Sequence, residues 1–130
     1  MKNFLECVGS AVVALGFAAE LQSYRLICAE RRLPHGFSGC SLWITVLDNR
    51  VYVATWVPHI YVMAATVSPS TVACFVEKAF ADGGSPFYDF SSDVKEQFRL
   101  EEVSLDFLHD MLIRSGLLEK DENDDAESDN

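Results

Sequence analysis

The chain has 130 residues, 49% of them hydrophobic and 12% aromatic, enough apolar material for one core and too much for a disordered chain. Its formal net charge of −10 is uneven: residues 119–130 hold seven acids and one lysine, net −6, and the rest hold thirteen acids and nine bases, net −4. Nucleic acid is therefore a poor partner, because phosphate binding needs concentrated Lys and Arg, whereas a basic protein would be steered toward the acidic surface.

In chain order, the first element reads as a helix over residues 3–21. Phe4, Val8, Val12, Leu15 and Ala19 recur at helical spacing as one stripe, and Val13 and Phe17 form a second apolar side suited to an interface. Lys2 followed by the apolar run 7–19 has some look of a signal peptide. However, Glu6 interrupts the approach and the run is too short to cross a bilayer, so a mature helix is expected. Residues 24–32 read as a strand, and Pro34, Gly36, Ser38 and Gly39 as a loop.

The most legible segment is a hairpin from Ser41 to Val57 turning on Asp48-Asn49, two residues that tolerate positive φ. A two-residue turn pairs Val46 with Val51, Ile44 with Val53 and Leu42 with Thr55 on one aliphatic face. Thr45 then meets Tyr52, and Trp43 meets Ala54, on the other. The aliphatic face is expected under helices, leaving the Trp43 and Tyr52 face less covered. Pro58 ends the ladder, and residues 60–66 resume as a strand.

Ser68-Pro69 is a helix start, with Val72, Phe75, Val76, Ala79 and Phe80 as the buried face and Gly83-Gly84 as the stop. Residues 85–100 cross the surface through Pro86, Phe87, Tyr88 and Phe90, with a helical turn over 92–98. A last helix over 104–115 is expected to bury Leu105, Leu108, Met111 and Leu112 and to end at Gly116. The fold class is α+β: an N-terminal helix, an antiparallel meander of three or four strands, then two helices on one sheet face. One domain spans 1–118, and 119–130 is an acidic tail that buries too little to offset the entropy of ordering it.

Chemistry is sparse. Cys7, Cys28, Cys40 and Cys74 form no C-x-x-C pair and read as core residues in a reducing cytoplasm. The nearest enzymatic arrangement is a pocket near His35, Cys40 and His59, with Cys74 or Asp48 in support, but no thiol-enzyme signature surrounds it. Asp106 and Asp110 share a solvated helix face, and neither glycine-rich spot has the setting of a phosphate loop. No catalytic residue, metal site or cofactor is assigned. The constellation to follow is aromatic, Trp43, Tyr52, Trp56 and Tyr61, since Trp and Tyr bury much area and keep a polar tip.

The order of elements over residues 3–116, with the small size and acidity, resembles type III secretion chaperones and YbjN-like proteins. The resemblance implies a homodimer that holds an extended client peptide along exposed strands and apolar grooves. No residue motif matches, so no residue role is carried over. The expected function is a non-catalytic, chaperone- or adaptor-like protein-interaction module, cytoplasmic and homodimeric. It would bind a basic partner or an extended peptide through Trp43, Tyr52 and Trp56, or through Val13 and Phe17, with no nucleic acid or membrane partner. The alternatives are an immunity or inhibitor protein for a basic toxin, and a small enzyme or ligand-binding domain at His35, Cys40 and His59.

Overall fold

A computed structural model describes residues 3–30, 41–63, 67–81 and 88–118. Helix α1 (Phe4–Ala14) leads into strands β1 (Phe17–Gln22), β2 (Arg25–Glu30), β3 (Ser41–Leu47), β4 (Arg50–Thr55) and β5 (Ile60–Val62). Helices α2 (Pro69–Ala81) and α3 (Ser92–Gln97), strand β6 (Glu101–Val103) and helix α4 (Leu105–Arg114) follow. The strands form one antiparallel sheet in chain order, β1-β2-β3-β4-β5-β6. The α+β class, the leading helix and the meander are as the sequence predicts; the sheet has six strands where three or four were expected.

The β3–β4 hairpin has the expected register, from Leu42 opposite Thr55 to Val46 opposite Val51. Asp48 and Asn49 sit at φ 53° and 63°, the left-handed values a tight hairpin requires at both positions. Because side chains alternate across a strand, the register divides the sheet into two apolar faces. On the first, Leu26, Cys28, Leu42, Ile44, Val51, Val53 and Tyr61 pack with α1 and α2 around the fully buried Phe75. That ring meets Phe90 at 5.0 Å and Phe98 at 5.4 Å, both edge-on, contacts of about 0.5–1.5 kcal/mol each beyond simple burial.

On the second face, Trp43, Leu47, Tyr52, Ala54, Ile60 and Val62 pack under Leu108 and Leu112 of α4. Helices therefore lie on both faces, not one. The Trp43–Tyr52 surface is too large and apolar to leave in water, and α4 offers a matching stripe. Leu105, expected in that stripe, instead begins the helix 57% exposed.

The predicted helix over 3–21 is really a helix and a strand. Asn3 and Glu6 form a reciprocal capping box at its start. Gly16 ends it at φ +99°, and Phe17–Gln22 then pair with β2. The run read as one helix because its apolar residues suit either period, and Gly16 decides the matter. Val13 and Phe17 thus share no helix face: Val13 is on α1, 42% exposed, and Phe17 turns inward from β1 to meet Phe80 at 5.2 Å.

Ser68 caps α2 as predicted, receiving the Thr71 amide; Ser104 receives the Phe107 amide at the start of α4, and Gly116 follows that helix at φ +74°. Gly83 and Gly84, the expected stop of α2, lie outside the described residues, as does the tail 119–130. The buried hydroxyls are bonded: Thr45 donates to the Tyr24 carbonyl at 2.6 Å, and Thr55 Oγ1 accepts the His59 amide at 2.7 Å.

A polar clasp ties the segment after α2 to the first face. Asp89 accepts from the Tyr61 hydroxyl at 2.6 Å, the Phe90 amide at 2.8 Å and Lys95 Nζ at 3.0 Å. Partial burial alone would raise the Asp89 pKa, but the Tyr61 hydroxyl, Lys95 and the amide outweigh it and hold the carboxyl below its ordinary value.

Two predictions follow from backbone and clasp. Gly16→Ala, which meets no neighbouring atom but strains the left-handed backbone, should cost about 1–2 kcal/mol in urea unfolding. A carboxyl with a lowered folded pKa stabilises the fold above its unfolded pKa and ceases to do so as pH falls through the folded one. The melting temperature should therefore fall more steeply with acid below the ordinary Asp value in the wild type than in Asp89→Asn.

Candidate functional site

Pairing registers place the second-face side chains in rows. Ala18, Ala29 and Ser41 form one row, then Glu20, Ile27, Trp43 and Ala54, then Gln22, Arg25, Thr45 and Tyr52. Helix α4 packs over the β3–β5 end of these rows, with Tyr24 and Ile27 at the margin of that cluster, and among the described residues no helix lies over this face of β1. A depression remains, walled by α4 on one side and floored by the outer face of β1 and β2.

Two clefts occupy it. One, of about 280 Å³, lies between α4 and the β1–β2 turn, among Tyr24, Arg25, Trp43, Trp56, Leu105 and Leu108. The other, of about 360 Å³, runs over β1 and β2 among Ala18, Glu20, Arg25, Ile27, Ala29 and Trp56. Arg25 and Trp56 border both, so the two clefts adjoin along one trough-like surface. The row of small residues makes it deep, and Trp56, 49% exposed, stands over it from the bend after β4. That bend is where Pro58 prevents the ladder from continuing.

Arg25 is the fixed positive charge of the trough. Its guanidinium lies 5.8 Å from the Trp43 ring centroid and 6.0 Å from that of Tyr24, so two π faces orient it. Glu20, two residues along the edge strand, receives the Gln22 amide instead. A guanidinium held on aromatic faces with donors to spare recognises carbonyl or carboxylate oxygens. The lining otherwise offers aromatic and aliphatic surface, with His109 at the α4 side and neither thiol nor carboxylate in the α4 cleft beside it.

The expected aromatic set is divided. Trp43, 7% exposed, and Tyr52, fully covered, lie beneath α4; Trp43 reaches the trough only by an edge. Tyr61 points to the opposite face, where burial and then its bond to Asp89 hold the phenol protonated well above its usual range. Trp56 alone is presented to solvent. Val13 borders a different cleft with Ala19, Leu21 and Leu26 at the free side of β1. His59 pairs with Glu102 at 3.3 Å near the other end of the sheet, and His35 and Cys40 lie outside the described residues.

Tyr24, Arg25 and Leu105 escaped the sequence reading. Arg25 becomes a site residue only once β1 and β2 are recognised as a hairpin with one face uncovered. The alternation Arg25–Ile27–Ala29 was the available signal.

Among the described residues, no three of His, Cys, Asp and Glu converge as a metal site would require. Cys28 is fully buried, and burial pushes its thiol up to about 12. Iodoacetamide at neutral pH should leave Cys28 unmodified in the folded protein and label it in urea, as read by peptide mass spectrometry.

No helix among the described residues is long and apolar enough to cross a membrane. Comparison with protein families, with curated proteins and with solved structures finds no match to this chain.

Proposed function

We propose that this chain is a non-catalytic, adaptor- or chaperone-like binding module, acting as a homodimer, whose trough holds an extended segment of a partner protein. The observation that carries the reading is that the two clefts adjoin at Arg25 and Trp56. Each cleft alone is near or below the lower end of the range for small-molecule pockets, whereas two shallow clefts in line along a sheet face suit a chain in extended conformation. Such a segment would place alternate side chains against Ile27 and the Trp43 edge, under the Trp56 ring. Its carbonyl groups would take the free donors of Arg25. Exposed Trp56 and Leu105 are the anchors, for an aromatic ring beside a desolvated pocket is the usual composition of a binding hot spot. The acidic charge outside the trough raises encounter rates with partners whose flanking sequence is basic.

The test is selection of peptides from a phage-displayed random library on the intact protein, with affinities measured for wild type and Trp56→Ala. Selected peptides should bind wild type and lose roughly thirtyfold or more on the variant, the ratio expected of a hot-spot aromatic. Trp56 fluorescence should also shift to the blue as its ring leaves water. Peptides that bind both proteins equally, or a library that yields none, would remove the trough from consideration.

A further inference from the structure

The free side of β1 is a regular strand edge, and what it can pair with follows from the backbone. The β1–β2 hairpin turns through Ser23 and Tyr24, closing on Gln22 opposite Arg25. A two-residue turn makes its closing residues a hydrogen-bonded pair, so Gln22, Glu20 and Ala18 spend their backbone groups on β2. The β3–β4 hairpin obeys the same rule: Arg50 closes the turn, and Val51 directs its carbonyl away, to the Met63 amide at 2.8 Å. Phe17, Ala19 and Leu21 therefore point their N–H and C=O groups outward. β1 ends the sheet, and among the described residues no strand receives them.

The edge also lacks the usual protections. It has no proline and no bulge, and its single charge, Glu20, points to the trough rather than to the first face. On the first face it is flanked by exposed aliphatic surface, Leu21 at 43% and Val13 of α1 beside it.

Resting on the homodimer reading above, we infer that β1 pairs antiparallel with β1 of a second copy, about a two-fold axis through Ala19. Side-chain facing and charge select that register. Pairs must fall on the same face, so the axis passes through a residue and not between two. An axis at Glu20 sets Glu20 directly against Glu20 of the second copy, which like charge disfavours. An axis at Ala18 leaves the outward groups of Leu21 without a strand partner. The axis at Ala19 joins all three outward residues, Phe17 opposite Leu21 and Ala19 opposite Ala19, and brings Ala18 opposite Glu20.

A standard interface takes roughly 800 Å² from each partner, about a tenth of this chain's 7902 Å². A five-residue seam, Phe17–Leu21 of each copy, supplies part of that area, and Val13 on one face and the trough wall on the other lie beside it to supply more. The seam also joins the two troughs edge to edge, so that each copy contributes half of one longer channel.

Sedimentation velocity from micromolar to near-millimolar concentration tests this on the full chain, comparing wild type with Ala18→Glu, Ala18→Lys and Ala19→Pro. Wild type should self-associate. Ala18→Glu places two symmetric carboxylate pairs in the seam and should weaken it roughly two- to thirtyfold, while Ala18→Lys should tighten it by a similar factor. Ala19→Pro removes an outward N–H and should abolish the dimer, with circular dichroism verifying that the sheet persists. The two Ala18 variants crowd the site equally, so opposite signs report charge across the seam and not misfolding. Equal weakening by both overturns the register. A dimer indifferent to Ala18→Glu and Ala19→Pro overturns the seam and leaves dimerisation standing, whereas a monomer throughout overturns both.

Discussion

Cross-strand pairing in the β3–β4 hairpin is the constraint on which the rest of the molecule depends. It fixes which side chains share a face, and here both faces are apolar. Leu42, Ile44, Val51 and Val53 line one, Trp43, Leu47, Tyr52 and Ala54 the other. A sheet that is greasy on one side needs one layer of helices; one that is greasy on both needs two. Shifting the register by one residue would exchange the faces and expose Trp43 and Tyr52 to α1 and α2, whose grooves are shaped for branched aliphatics. Asp48 and Asn49 guard against that slip, because their left-handed conformations fit only a two-residue turn.

The two layers are unequal, and that inequality creates the trough. α1 and α2 together have 24 residues, 11 and 13, packed on the first face with α3 beside them. Among the described residues, the helix on the second face is the 10-residue α4. A helix of that length is about 15 Å long and roughly 10 Å wide, while six strands spaced by about 4.8 Å span roughly 24 Å. It covers part of the sheet and leaves the rest. Among the described residues no helix lies over this face of β1 and β2, whose side chains there shrink to Ala18 and Ala29 or turn polar at Glu20, Gln22 and Arg25. The sequence is thus least apolar beyond the reach of α4, with Ile27 and the neighbouring Trp56 as the exceptions, the apolar surface that the proposed partner segment would meet.

Much of this plan was legible from residues alone, and the failures share a cause. The hairpin register, the Ser68 cap and the buried face of α2 follow from short-range rules, and each is as expected. Residues 4–22 were not separable by periodicity, because small and apolar residues in sequence satisfy both a helix and a strand. Gly16 and the Asn3–Glu6 capping box were the local signs that the helix was short. The side of the sheet that α4 would cover could not be read, since its stripe fits either face. The choice is made by the volume of Trp43 and Tyr52. The site was half visible for the same reason. Trp56 stood out as an aromatic after a strand, but Arg25 matters only through its pairing with β1, the strand that the longer helix reading had hidden.

Edge strand β1 carries two roles that constrain each other. Its even-numbered side chains, Ala18, Glu20 and Gln22, form the far wall of the trough, while the backbone of its odd-numbered residues faces outward. A larger side chain at 18 would fill the trough, and a charged one would alter whatever meets the edge. At Glu20, too, both roles bear on a single residue. A carboxylate there keeps the wall polar diagonally across from Arg25 and disfavours the alignment that would set the two Glu20 side chains of a pair directly opposite each other. A neutral residue would leave the strand free to pair in several registers, which is how exposed edges become aggregation sites. In the proposed dimer the charge removes one alignment rather than blocking the edge, and the geometry of the trough would inherit that limit.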